Sequence, residues 1–392
     1  RQGSSENLGS TIDTIAGGGT LPLQTGIPAT SVGLLEVRGV AVDEQNRVYF
    51  VGRSTGVGSV IYRIEPDGRL THVAGNGLNG FQSDNVPATT TALGQPSDIA
   101  LGPDGSVYFS ERLNLRIRRV DPDGIISTVA GERGTFNYVE GGLAVGATTL
   151  RDPDGVDVGP DGTVYISDST GGQIRRVGLD GRITTVPRPG FNLSFPRGVR
   201  VGPDGSLYIG DQGNHRFLRA FPNGTMTKVV GGAGVDGEPA NQASVRGTIA
   251  IVDRHGDLLV GDTLHNTIRR VDQNGIISTI AGTGVAGFSG DGGPPTQAQL
   301  TGPTYIAEGP DGSLYVADRV HARIRRIQSP LPQFIGLADL VVAAPDGSEV
   351  YIFDARGRHL RTVNPLTNGL ILEFGYDSAG RLISVTDGDG NV

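Results

Sequence analysis

An apolar-Tyr-apolar triplet returns along the chain as Val48-Tyr49-Phe50, Val107-Tyr108-Phe109, Val164-Tyr165-Ile166, Leu207-Tyr208-Ile209, Leu258-Leu259-Val260 and Leu314-Tyr315-Val316, six copies in 392 residues. In five copies a second apolar residue falls twelve positions beyond the triplet's middle, at Val120, Val177, Ala220, Val271 and Ile327; the first copy reaches Ile64 after three extra residues. Such self-similarity is the signature of a repeat architecture, in which each unit buries its apolar faces against its neighbours.

Each unit reads alike. A short apolar segment such as Asp98-Ile99-Ala100-Leu101 precedes a Pro-Asp-Gly type turn, the triplet, an acidic residue with a polar turn, an Ile-Arg-Arg-Val segment, a second Asp-Gly or Asn-Gly turn, and Ile-Ser-Thr-Val-Ala-Gly or a relative. Period-2 alternation and hairpin-length turns predict four strands of ~4–6 residues per unit. Six such units arranged radially predict an all-β fold, a six-bladed β-propeller of four antiparallel strands per blade. The sixth unit lacks its last strand, whereas Thr11-Ile12-Asp13-Thr14-Ile15-Ala16-Gly17 is such a strand with no unit before it. The N-terminal strand is therefore expected to close the ring and remove an open edge. Gly and Pro, 63 and 23 residues, make up about 22 % of the chain, which suits dense turns and stays below the range of disordered chains.

The run Tyr208-Ile209-Gly210-Asp211-Gln212-Gly213-Asn214-His215-Arg216, with the looser Asp262-Thr263-Leu264-His265-Asn266 and Asp318-Arg319-Val320-His321, resembles the NHL repeat over about residues 11–327. Departures are Gly52 where other units place Asp or Glu, and Gly171 where Asn is expected. After Ser329-Pro330-Leu331-Pro332 the pattern changes to Phe353-Asp354-Ala355-Arg356-Gly357-Arg358 and Phe374-Gly375-Tyr376-Asp377-Ser378-Ala379-Gly380-Arg381. This aromatic-Asp-x-x-Gly-Arg unit resembles the YD repeats of RHS proteins, with Asp and Gly forming hairpin turns. The expected division is a linker at 1–10, the propeller at 11–329, and a linker with the first YD/RHS repeats, the start of a β-shell, at 330–392. NHL followed by YD resembles teneurins and bacterial teneurin-like RHS proteins. That resemblance implies an extracellular or cell-surface, bacterial molecule whose propeller is a non-catalytic interaction or adhesion module abutting its own YD shell.

Composition narrows the partners. The formal charge is −8, Lys228 is the only lysine, and no basic run offers a nucleic acid or anionic membrane a footing. Cys is absent, so neither disulfides nor thiolate metal sites close the fold. No stretch is long and apolar enough for a membrane helix, and the start at Arg1-Gln2-Gly3 reads as a fragment.

Long connections at about 17–38, 75–96, 131–153, 231–246 and 282–303 are expected on one rim with the acidic turns, and a protein or glycan is expected to meet that loop-rich face. Pro87-Ala88-Thr89 and Pro295-Thr296-Gln297 read as one packing motif reused. Phe136, Tyr138 and Phe195 are the candidate aromatic anchors. Arg38, Arg197 and Arg246, at the starts of innermost strands, are candidates to ring the channel mouth with Asp98 and Asp154, while Asp157 and Arg200 are expected to pair across the channel. The recurring Glu111, Asp168, Asp211, Asp262 and Asp318 read as inter-blade ion pairs or turn caps. No catalytic residue, metal site or cofactor is expected; the alternative is a lactonase-like hydrolase or lyase with a channel metal, for which His215, His265 and His321 lie in separate blades.

Overall fold

Each Asp-Gly turn fixes a strand register locally. In the second unit Asp104 Oδ1 accepts the Ser106 N–H at 3.1 Å, the Gly102 N–H reaches Ser106 O at 2.8 Å, and Gly105 takes φ +81°, a conformation open chiefly to glycine. The ring of Tyr108 lies over Gly102, where a Cβ would sit 2.8 Å from Tyr108 Cε2. The aromatic of the triplet thus locks the turn that precedes it.

The computed structural model describes residues 10–132, 140–146, 150–328, 340–343, 349–353, 358–364, 370–377 and 381–388. Among them there is no α-helix; the chain is all-β with single-turn 3₁₀ segments. Five sheets follow chain order from an inner to an outer strand: Leu34–Val42 to Leu70–Ala74, Pro96–Leu101 to Ile125–Ala130, Pro153–Val158 to Ile183–Thr185, Pro196–Val201 to Met226–Val230, and Gly247–Val252 to Ile277–Ala281. Each has four strands except the second, which departs from the expected four by adding the short Val86–Pro87 strand outside Ile125–Ala130. The sixth starts at Pro303–Glu308 and takes its outer strand from the beginning of the chain, where Ile12 pairs with Ile327, Asp13 with Arg326 and Thr14 with Arg325. Each inner strand touches the inner strands of two other sheets, and the sixth returns to the first.

The core lies between sheets. Ala41, Tyr49, Val51 and Ile61 of the first sheet pack against Ile99, Phe109, Val120 and Ile126 of the second, and the pattern repeats around the molecule. Phe50, Phe109 and Phe217 are wholly buried; truncating one to Ala would cost about 3–5 kcal/mol. Alternation along the third strand sends its two arginines to opposite sides. Arg119 and Arg219 reach the turn carboxylates of Asp104 and Asp204 at 2.6 and 2.5 Å beside the triplet tyrosines, whereas Arg118, Arg175 and Arg325 are fully buried.

A seventh sheet runs Leu340–Ala343, Val350–Phe353, His359–Val363, Leu370–Tyr376 and Leu382–Asp387, each strand antiparallel to the one before. His359 packs against Phe353 and Phe374, with ring centroids 4.9 and 4.2 Å away. Asp377 accepts the Arg381 N–H at 2.8 Å and its guanidinium at 2.8 Å.

Candidate functional site

Two constellations stand out: the polar lining of the inner strands, and the side of the molecule where the long connections meet the turns after the second strands.

Inner strands start at Pro96, Pro153, Pro196 and Pro303, and the residues just inside them face one another across the ring. Asp98, fully buried, receives both guanidinium nitrogens of Arg200 at 2.7 and 2.8 Å, together with the backbone N–H groups of Ile99 and Val156. Arg200 also donates to the carbonyls of Val156 and Val199. The second and fourth sheets are thereby tied across the third. Ser97 donates to Asp154 and lies 3.3 Å from the Tyr305 hydroxyl, joining the second, third and sixth sheets.

Burial raises the carboxyl pKa of Asp154, opposed by Arg112 and Ser97, and raises that of Asp157, opposed by Arg200. It also drives the Tyr305 phenol far above its ordinary range, helped by the carboxylates of Asp154 and Asp98. Burial works against the Arg200 charge, yet Asp98 more than compensates and its pKa rises. Such matched, bidentate pairing is what a buried charge requires.

Several expected placements change. Arg200 pairs with Asp98 rather than Asp157, whose carboxylate instead accepts the Val201 N–H at 2.7 Å, because the residue one step before the apolar centre of the second inner strand reaches past the third strand. The arginines do not make one ring: Arg38 turns back to Glu36 at 2.7 Å and Arg197 lies 3.6 Å from Asp154. Arg246 stands before its strand, exposed, its backbone N–H donating to Asp262 at 3.2 Å. Phe195 is 54 % exposed and adopts φ +47°. Phe136 and Tyr138 lie outside the described residues.

The recurring acids cap turns of their own sheets. Glu111 accepts the Gly94 N–H, Asp168 those of Arg151 and Asp152, Asp211 that of Ser194, Asp262 that of Arg246 and Asp318 that of Thr301, so each fastens the connection leading into its sheet. Asn114, Asn214 and His265 bind the same carboxylates from the following turn. His215 falls one position later, with φ +52° like Asn266, so it is not the counterpart of His265. Among the described residues no three His, Asp or Glu side chains are grouped to hold a metal.

The connection side carries what sequence reasoning missed. Leu78 and Leu113 belong to the second sheet's connection and turn, Val235 and Leu264 to the fifth's, Val285 and Val320 to the sixth's; all six are more than half exposed. Backbone bonds join the two elements, as in Leu113 N–H to Gly94 O and Val320 N–H to Thr301 O. The available signal was an aliphatic residue two positions after the capping acid, in Glu111-Arg112-Leu113, Asp262-Thr263-Leu264 and Asp318-Arg319-Val320.

With this geometry in view, comparison with known proteins is informative. The NHL repeat model matches residues 193–219, which cover the first two strands of the fourth sheet and most of its third, and the teneurin YD-shell model matches residues 338–392. The chain carries NHL-repeat and teneurin YD-shell sequence. It is 28 % identical to mouse teneurin-1 over 328 residues and 30 % identical to mouse teneurin-3 over 329, in each case over 79 % of this chain and 11 % of the relative. Teneurin-m of Drosophila melanogaster is 27 % identical over 317 residues. The chain thus spans about a tenth of the length of these relatives.

Solved structures share the fold. A protein of unknown function from Bacteroides thetaiotaomicron superposes with a TM-score of 0.61 at 19 % identity, covering 81 % of this chain and 76 % of that one. A streptogramin B lyase gives 0.52 at 17 % identity over 83 % and 99 %, and a Xanthomonas campestris gluconolactonase 0.53 at 16 % over 82 % and 91 %. At these identities the likeness concerns architecture alone.

Proposed function

We propose that the chain is the propeller of a large teneurin-like surface or secreted protein and serves as a non-catalytic module that captures a protein partner through its connection-side face. In this reading the six sheets are the blades of a six-bladed NHL propeller at 11–329, and the sheet from Leu340 to Asp387 begins the YD shell within 330–392. The exposed aliphatics at Leu78, Leu113, Val235, Leu264, Val285 and Val320, on the connections and turns of the second, fifth and sixth sheets, carry the reading. Aliphatic side chains gain by leaving water against another protein and offer little to a glycan, which favours the protein among the two partner classes. Phe195 and Arg246, exposed on the same side, extend the surface towards the fourth sheet. The channel residues are spent on one another, and the molecule's recurrent carboxylates on their caps.

The test uses the full chain, tetramerised and fluorescent, on cells before and after protease or glycosidase treatment. Protease-sensitive binding that Leu264→Asp with Val320→Asp abolishes, and that Leu179→Asp on an opposite-side turn leaves intact, is expected. Binding that glycosidase removes, or that ignores the aliphatic changes, overturns the proposal.

A further inference from the structure

A strand at a sheet edge presents unpaired backbone donors and acceptors, and proteins either cover such edges or guard them. In five of the six sheets the connection entering the sheet lies along its outermost strand. Gly26 and Ile27 bond Leu70 in the first sheet, and Val86–Pro87 pairs with Ile125 and Ile126 in the second. Gly141 and Gly142 bond Ile183 in the third, Gly237 and Glu238 bond Ile277 in the fifth, and Gly292 and Gly293 bond Ile12 in the sixth. The fourth sheet differs: the stretch between Thr185 and Pro196 is short, and no described residue bonds the outer side of Met226–Val230.

The covering segments share a chemistry. Three bring an acid to one outward threonine: Asp84 to the Thr128 hydroxyl at 3.0 Å, Glu140 to that of Thr185 at 2.9 Å, and Asp236 to that of Thr279 at 2.6 Å. Those threonines pair in register with Arg118, Arg175 and Arg269, and a fourth cover places Asp291 2.7 Å from Arg325. In the fourth sheet the same register holds Leu218 opposite Lys228. The only lysine of the chain therefore occupies the position that receives a carboxylate elsewhere, and it is exposed beside an open groove of about 370 Å³ shared with Gly234, Glu238, Asn241 and Gln242.

We propose that the outer edge of Met226–Val230 receives an extended segment of a partner polypeptide, which adds a strand to the fourth sheet and sets an aspartate or glutamate against Lys228. Main-chain pairing supplies the affinity and the lysine selects the acidic partner, as in other strand-addition modes. The site lies on the rim of the molecule and is independent of the aliphatic face proposed above.

The probe is a synthetic peptide with the sequence of Gln82–Thr89, this protein's own cover for the second sheet, titrated against the full chain by calorimetry and amide hydrogen exchange. Saturable binding that slows exchange of the Met226 and Lys228 amides, the register counterparts of Ile183 and Thr185 whose N–H groups the cover takes in the third sheet, is expected. Lys228→Glu should weaken it about ten-fold, a loss worth ~1.4 kcal/mol, and a peptide carrying Lys at the position of Asp84 should restore it. Absence of saturable protection at this strand overturns the proposal and leaves Lys228 as a guard against edge pairing. So does protection that rises with protein concentration alone, which would mean pairing with a second copy, or unchanged affinity in Lys228→Glu.

Discussion

Replacing Asp98 by Asn keeps the shape of the side chain while removing the charge that Arg200 faces, and so isolates the electrostatics of the channel. The carboxylate accepts two guanidinium bonds and two backbone N–H groups at a fully buried position. Breaking a buried pair on one side costs about 3–5 kcal/mol, because the remaining charge stays desolvated. With about 2.1 cal/mol/K of unfolding entropy per residue over roughly 320 residues, that loss lowers the melting temperature by about 4–7 °C. Arg200→Met alone should cost a similar amount, whereas Asp98→Asn combined with Arg200→Met removes both charges, leaves an amide oxygen for the backbone N–H groups of Ile99 and Val156, and should recover part of the loss. Scanning calorimetry of the two single and the double variants gives the coupling energy directly. Single losses under ~1 kcal/mol, or a double variant as damaged as the sum, would refute the claim that this pair ties the second and fourth sheets across the third.

Two further consequences are measurable. Deleting residues 1–17 removes the strand paired to Arg323–Ile327 and uncovers that edge, so light scattering should report concentration-dependent association; a monomeric deletion with unchanged melting would contradict the closure. The Tyr315 phenol is pushed up to about 12 by burial and by Asp311, so the folded state holds its proton more tightly than the unfolded chain, whose phenol titrates near 10. Stability should therefore fall by up to ~2 kcal/mol as pH rises from 10 to 12, and Tyr315→Phe should flatten that slope in urea titrations.

How much of this was legible in the residues depends on whether a feature is local. The triplet, the Asp-Gly turns and the orphan strand at Ile12 are local or periodic, and they predict the strand order within each sheet and the pairing of Ile12 with Ile327. The recurring acids were legible as structural, since a residue present in nearly every unit serves what every unit needs. The channel pairing was not: which inward side chain meets which depends on distances around the ring, and nothing in the spacing of Asp98, Asp157 and Arg200 encodes them. Nor did the sequence reveal that the long connections cover outer edges, because that depends on backbone contacts between segments tens of residues apart. Chain length carried a partial signal, in that the short stretch before Pro196 is the one that leaves an edge open.

A departure from the repeat can be absorbed or left standing, and the position shared by Lys228 shows both outcomes. In the first sheet the register that elsewhere holds Arg and Thr holds Tyr62 and His72. There the rings stack at 5.0 Å and 18°, His72 Nε2 lies 2.6 Å from Gly75 O, Thr25 Oγ1 accepts the His72 N–H, and the connection still covers the strand. The imidazole introduced by that change is stacked and hydrogen-bonded within the molecule, and the strand stays covered. In the fourth sheet Leu218 is buried as the arginines are, but Lys228 is exposed beside an uncovered strand. An exchange of Thr for Lys at an edge leaves a strongly hydrated charge and a row of backbone groups to be satisfied by water or by another chain. Whether a departure is completed internally separates a substitution the molecule absorbs from one it leaves open, and by that criterion the fourth sheet's edge is the open one, which is why strand addition is proposed there.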